Sequence, residues 1–335
     1  MSNKSKYSFV AIVLILVAIL GYHYYAASQA EQQIRALIEE QTAEAGSISV
    51  QYSDLDVTPF TGKVRFQDLT IIFGNHIERA KELTVDLSYL DVLGIYIGGT
   101  EYGLEHMHSA DAFLSNPSYV NKESLRQVAA DSLQIRFNGQ ALDGIRAAIT
   151  DTVFTENQKL HLNGRRLRLQ LPKTSVTNFK AQTFNYTGSI PAGEDSFWEE
   201  GTHEVSMDSL TVTPAVSFQN SYGFFIQGFG YATDAIPFQS AGFSSTPQPQ
   251  PGVLQFTSNL KSELALVSAE GLLTLREPLG NSPLEETTVT VSDFSPSFQK
   301  VLANIEKLLS ISLPRKDNGI FIRLRGTLSN PVTAQ

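Results

Sequence analysis

From Ile48 to the C-terminus, apolar residues recur at every second position, the period of a strand with one buried and one wetter face. Ile48, Val50 and Tyr52 alternate with polar neighbours, as do Val64 and Phe66, then Leu69, Ile71 and Phe73. The pattern continues through Leu83, Val85, Leu87 and Tyr89, through Leu167, Leu169 and Leu171, and through Leu210 and Val212. Val289 and Val291, then Ile320, Ile322 and Leu324, repeat it near the end. Strands are therefore expected along the whole exported length. Several share a short phrase: QDLTI at 67–71, KELTV at 81–85, DSLQI at 131–135 and DSLTV at 208–212. Their irregular spacing marks a reused strand type and not a solenoid period, and such phrases also arise in any amphipathic sheet.

Helical spacing interrupts this pattern in few places. Asn121–Ala130 and Leu142–Ile149 predict short helices. Phe298, Val301, Leu302, Ile305, Leu308 and Leu309 form a continuous stripe at i, i+3, i+4 and i+7, the pattern of an amphipathic helix that covers a sheet face or edge. Only Lys300 and Lys307 decorate it, too few for strong attraction to an anionic bilayer. From about 238 to 252 the chain is rich in Ser, Gln, Gly and Pro, with Pro247, Pro249 and Pro251 alternating. Prolines cannot donate ladder hydrogen bonds, so this stretch predicts a flexible or polyproline-like loop where the β region could divide.

The N-terminus has a different pattern. Residues 7–27 contain no charge, and Phe9, Val10, Ile12, Val13, Leu14, Ile15, Leu16, Val17, Ile19 and Leu20 lie in an unbroken apolar run. About 20 residues at 1.5 Å rise match the ~30 Å hydrocarbon core, so the segment predicts one transmembrane helix. Tyr22, Tyr24 and Tyr25 cluster at its far end, where rings favour the head-group level. Lys4 and Lys6 precede it and the next basic residue is Arg35, which places the N-terminus in the cytoplasm and the bulk outside. Ser28-Gln29-Ala30 also fits signal-peptide cleavage, although the long apolar run and its aromatic end favour a retained anchor. The expected layout is residues 1–27 as tip and anchor, 28–46 as a connector helix with Ser28 and Glu31 in a capping box, and 47–335 as one β-rich region.

Composition narrows the classes of function. Of 335 residues, 42% are hydrophobic and 18% charged, which excludes a disordered chain. Beyond the anchor, 23 basic residues against 34 acidic ones leave a net charge of −11, so nucleic acid is not an expected partner. The absence of cysteine rules out disulfides, Cys-ligated zinc and Cys nucleophiles.

Candidate chemistry is sparse, and no enzymatic activity, cofactor or metal is expected. His106 and His108, with Glu105 and Asp111 nearby, share a side of a strand, but a third metal ligand is not nominated; a membrane-tethered hydrolase would need a distant carboxylate to join them. His76, His161 and His203 stand alone, without a nucleophile elbow. Gly228 and Gly230 lack the third glycine of a phosphate loop and read as a bulge or close approach in a strand. Glu194, Asp195, Glu199 and Glu200 around Trp198 read as a solvated acidic loop, and Asn185-Tyr186-Thr187 is a glycosylation sequon that matters only in a eukaryotic secretory setting.

Pro59, Phe60 and Gly62 leading into a strand, the stretch KELTVDLSYLDVL, and the closing phrase Gly326-Thr327-Leu328-Ser329-Asn330-Pro331, together with the anchor, resemble the AsmA-like family of envelope proteins and their TamB-like relatives. The resemblance covers both ends of the chain and is weak from about 100 to 290. It implies a mainly β fold: a long curved antiparallel sheet, as an open groove or half-barrel, with a few short helices and one N-terminal transmembrane helix. It further implies a bacterial inner-membrane protein with its bulk in the periplasm, whose concave apolar face shields lipid acyl chains and supports outer-membrane assembly. Long members bridge two membranes, whereas roughly 15 strands at ~4.8 Å would reach at most ~70 Å.

The residues expected to line that face are Val64, Phe66, Leu69, Ile71, Leu83, Val85, Leu87, Leu210, Val212, Ile320, Ile322 and Leu324. Membrane lipids, chiefly phospholipid acyl chains, are the expected partners, with envelope proteins as further partners. The rival expectation is a scaffold whose sheet packs on itself and binds envelope proteins without lipid transfer.

Overall fold

The computed structural model describes residues 48–58, 62–86, 109–139, 154, 156–172, 174, 176–193, 197–277, 279–310, 312–316 and 319–334. The expected anchor and connector helix lie outside these residues, as do Leu87, Tyr89, His106, His108 and the expected helix at 142–149. Among the described residues no helix is long and apolar enough to cross a membrane. The chain forms two compact units, one comprising Met1–Leu169 and Thr187–Phe197, the other Gln170–Tyr186 and Trp198–Gln335. Neither boundary falls in the Pro-rich stretch.

The first unit is an antiparallel sheet of β1 (Ile48–Gln51), β2 (Asp54–Thr58), β3 (Lys63–Phe73), β4 (His76–Asp86), β5 (Ser109–Ser115), β6 (Ser118–Asn121), β7 (Gln127–Ala129), β8 (Ser132–Asn138) and β9 (Gln158–Gln170), joined by the end of β10 (Val176–Ile190). Strands β3 and β4 pair in register from Lys63↔Asp86 to Phe73↔His76. On one side β1 and β2 cover the two halves of β3; on the other β5 and β6 cover the two halves of β4. Beyond these, β8 pairs with β5, β7 with β6, and β9 with β8.

The places where these strands break form one line across the sheet. Ser53, between β1 and β2, donates its N–H to the Gln67 carbonyl and its hydroxyl to Asp68, both within 2.9 Å. Asp68 has φ of 48°, and the β3–β4 register skips over it. Asn116, between β5 and β6, has φ of 48° and donates to the Asp131 carbonyl; Asp131, between β7 and β8, donates to the Arg165 carbonyl. Arg166 comes next in β9 with φ of 52°, and its guanidinium and that of Arg168 both reach the Asp131 carboxylate. The ladder stays one-to-one across this line, so it is not a β-bulge of two residues against one; neighbouring strands leave the alternation at the same level, and apolar side chains resume on the same face beyond it. That is why Val64 and Phe66 are succeeded inward by Leu69 and Ile71, a step of three where strict alternation demands two.

Unit two holds most of β10, then α1 (Phe197–Glu200), β11 (Thr202–Pro214), α2 (Val216–Gly228), β12 (Ile236–Pro247), β13 (Val253–Lys261), β14 (Leu266–Thr274), β15 (Pro283–Ser292), α3 (Pro296–Leu309), β16 (Arg315–Lys316), β17 (Gly319–Thr327) and β18 (Asn330–Thr333). Strands β11 to β15 pair consecutively and antiparallel, β17 takes the next place beside β15, and β18 closes a hairpin on β17. Ser209 in β11, with φ of 52°, is an in-register break of the same kind as Asp68, whereas Glu286 in β15, with φ of 48°, is a β-bulge at which the register to β14 and β17 shifts. They separate Val205 and Met207 from Leu210 and Val212, and Leu284 from Thr287 and Val289.

Four expectations change here. The Pro-rich loop is mostly strand: β12 runs through Ser, Ala, Gly and Thr as far as Pro247, paired to β13, and only residues 248–252 turn, with Gly252 at φ of 71°. Small polar residues keep the ladder donors that proline lacks, and the prolines sit at the strand ends, where their missing N–H is tolerated. Residues 121–130 are not helical, because the Asn121 side chain accepts the N–H groups of Glu123 and Ser124 and caps a turn between β6 and β7. Gly228 ends α2 and Gly230, at φ of 82°, terminates it by donating to the Gln227 carbonyl, so neither marks a strand bulge. Glu199 and Glu200 belong to the single turn α1. The helix expected from the stripe beginning at Phe298 is α3, capped by the Ser295 hydroxyl on the Phe298 N–H.

Candidate functional site

Register decides which side chains share a face. In the second unit, Val205, Phe243, Ser258, Ala269, Val289 and Ile322 form one row across five pairings. Met207, Ala241, Leu260, Val267, Val291 and Ile320 form the next, and Leu254, Leu273 and Leu284 lie in a third. Beyond the Ser209 break, Leu210 pairs with Phe238 and Val212 with Ile236. The result is a broad apolar face.

That face is only partly covered. Phe256, Leu273 and Leu284 form a buried cluster with Ala269 and Leu275 at its edge. Leu210 and Ile320 are also buried. Around them Val205, Met207, Ala241, Leu260, Val289, Val291 and Ile322 are half-buried, and Phe243 and Val267 keep 38% and 36% of their surface exposed. Phe243 stacks on Phe256 with ring centroids 6.5 Å apart, so the exposed ring continues the buried cluster.

The opposite face of the same strands is polar. Glu204, Ser244 and Thr257 lie side by side, as do Ser206, Gly242 and Asn259. They line a shallow depression of about 290 Å³. Its floor is self-contained: Ser244 bonds Thr257 at 2.7 Å, and Asn259 lies over Gly242, where a Cβ would sit 2.8 Å from its amide nitrogen.

The first unit differs. Val64, Phe66, Leu69, Ile71, Leu83 and Val85 share one face, with Val64 opposite Val85 and Phe66 opposite Leu83. All are buried, Phe66 to 1% exposure with the Tyr52 ring edge-on at 5.4 Å. These residues make a buried core on β3 and β4, and their rows run on through Ala112, Leu114, Leu133, Ile135 and Leu162, which are half-buried. Of the residues read as groove lining, Val212, Ile322 and Leu324 keep partial exposure, while Leu210 and Ile320 are buried beside the open rows.

No family model, no curated protein and no solved structure matches this chain.

The histidines expected to stand alone each have a hydroxyl partner. His76 meets the Tyr119 hydroxyl at 2.5 Å with the rings stacked, His161 meets Thr187 at 3.1 Å, and His203 meets Tyr186 at 2.8 Å. Burial pushes the Tyr186 phenol well above its ordinary range, so it stays protonated as a neutral partner to the ring. Among the described residues no group of three His, Asp or Glu could hold a metal ion. Asn185 of the sequon lies within β10, its amide 3.4 Å from Ser206.

Sequence reading missed Val205, Met207, Ala241, Phe243, Leu260 and Val267. The alternation is present in β13 and β14, but Phe243 and Ala241 sit in the stretch read as a loop. In β11 the phase slip at Asp208-Ser209 hides that Val205 and Leu210 belong to one face.

Proposed function

We propose that this chain is a membrane-anchored periplasmic protein of the bacterial inner membrane, whose apolar β-sheet face binds lipid acyl chains and helps move them in support of outer-membrane assembly. One observation carries the reading: the rows through Phe243 and Val267 run across six strands without a charged residue, polar only at Ser258, and remain partly open. At ~25 cal/mol per Å² of apolar surface, such rows gain free energy from any chain-like hydrocarbon laid across them. An apolar face with no charged residue among its rows favours acyl chains over polar ligands. The AsmA-like resemblance and the apolar run at residues 9–20 supply the membrane source of those chains.

The test uses the full chain purified from membranes. A photo-crosslinking residue at Val267 or Phe243 is expected to capture acyl chains, identified by mass spectrometry, while one at Thr257 or Ser268 on the polar face captures none. Equal capture on both faces, or none on either, overturns the reading.

A further inference from the structure

The register of the second unit brings its two longer helices to one end of the sheet. Helix α2 joins β11 to β12 beyond the pair Val212↔Ile236, and α3 leads from β15 toward β17 beyond Val291↔Ile320. Ser295, the cap of α3, donates its N–H to Leu264 in the β13–β14 turn at that same end. The Phe229 and Phe298 rings meet at 5.2 Å and join the two helical connections.

Helix α2 is unusual for a surface helix. Its sequence VSFQNSYGFFIQG holds no charged residue, yet Val216, Phe218 and Tyr222 are 69%, 39% and 52% exposed. Phe218 and Tyr222, one turn apart, pair with centroids at 4.8 Å and present a joint aromatic surface. Gly223 is buried against the Thr233 methyl, which holds the helix to the loop after it.

We propose that α2 lies in the head-group layer of a bilayer, with Phe218 and Tyr222 immersed, so that the helical end of the apolar face meets lipid directly. This placement rests on the anchored, lipid-binding reading and deepens it by naming where lipid enters. Aromatic rings with a polar edge or neutral neighbours prefer the head-group level. Thirteen residues span about 20 Å, too short to cross ~30 Å of hydrocarbon and suited to lying in the plane.

A bilayer is favoured over a protein partner by the tether and by charge. Residues 28–47 separate the apolar run from β1, and about 20 residues reach at most ~70 Å, so β1 stays within that distance of a lipid surface. The exported part is strongly acidic, and an uncharged helix is a part of it that an anionic surface does not repel. Insertion driven by apolar area should not need anionic lipid.

The chain lacks cysteine, so single Phe218→Cys, Tyr222→Cys and Val216→Cys variants of the full chain can each carry one nitroxide label. In phosphatidylcholine vesicles, electron paramagnetic resonance should show labels at 218 and 222 more accessible to oxygen than to a water-soluble nickel complex, immersed ~5–10 Å. Glu204→Cys, on the polar face, should remain aqueous. Aqueous profiles at 216, 218 and 222 together overturn the proposal, and so does spin–spin broadening between molecules, which would make a second copy the occupant. Immersed labels in a protein that captures no acyl chain at Val267 would sink the groove reading and leave this one standing; aqueous labels with acyl capture would do the reverse.

Discussion

Gly271 in β14 lies directly against Thr287 in β15: a Cβ on Gly271 would fall 2.7 Å from the Thr287 Cα and 2.4 Å from its hydroxyl oxygen. The β14–β15 register shifts at this point, and Thr287 is buried. Two backbones approach here more closely than side chains allow, and only glycine fits. Gly271→Ala should therefore cost about 1–3 kcal/mol as overpacking. Gly228→Ala, at the end of α2 with nothing near its Cβ position, should be neutral or slightly stabilising. Urea denaturation of both variants checks this, and equal midpoints would contradict it.

The left-handed strand residues carry a second prediction. Ser209 sits at φ of 52°, where a β-branched side chain is strained by roughly 1–2 kcal/mol, whereas Ser206, three residues earlier in the same strand, is exposed. Ser209→Val should lower the unfolding free energy by about that amount, and Ser206→Val should leave it unchanged or raise it through β-propensity. Ser209→Gly should be tolerated. If all three variants melt together, the left-handed backbone at 209 is not a feature of the folded protein.

The same left-handed residues explain what was legible in the sequence. Alternation located β3, β4, β11, β15 and β17, because each has one buried face. The repeated phrases partly mark where the alternation slips: in QDLTI and DSLTV the residue just before Leu69 and Leu210 has positive φ, and Arg166 before Leu167 and Glu286 before Thr287 repeat the step without the phrase. KELTV and DSLQI lie in strands without that step at the same place. The β12 strand was hidden because its outward and inward positions are both small, so its place is set by pairing with neighbours and not by its own hydrophobicity. Helix α2 was hidden because aromatic residues favour strands and no charged face marks its period.

Acid should loosen the end of α3. The Glu306 carboxylate accepts the Leu313 N–H at 3.0 Å and the Arg315 guanidinium at 2.8 Å, and these partners, the backbone N–H first, hold its pKa below the ordinary carboxylate value. A folded pKa below the unfolded one means the stabilisation is present above the unfolded value of about 4.5 and is lost as pH falls through the lower folded value. Glu306→Gln should melt below wild type at pH 7, and the gap should close as pH is taken below about 4.5. A gap that stays constant from pH 7 to pH 3 would show that the carboxylate's charge plays no part. The pair is exposed, so raised salt should also narrow the gap at neutral pH.

The contrast between the two apolar faces gives the most discriminating prediction. Phe66 is enclosed on every side, so Phe66→Ala should cost about 3–5 kcal/mol, through lost burial and the cavity left behind. Phe243 and Val267 keep 38% and 36% of their surface exposed, so each gives up part of its burial and leaves no closed cavity when truncated. Phe243→Ser and Val267→Ser should each cost about 1–2 kcal/mol, well below Phe66→Ala. If the open face holds hydrocarbon, the double variant should nonetheless lose most of the acyl chains that copurify with the full chain, measured by mass spectrometry against protein amount. Unchanged lipid in a folded double variant would mean that these rows serve stability alone. A large stability loss would mean that something in the chain covers them.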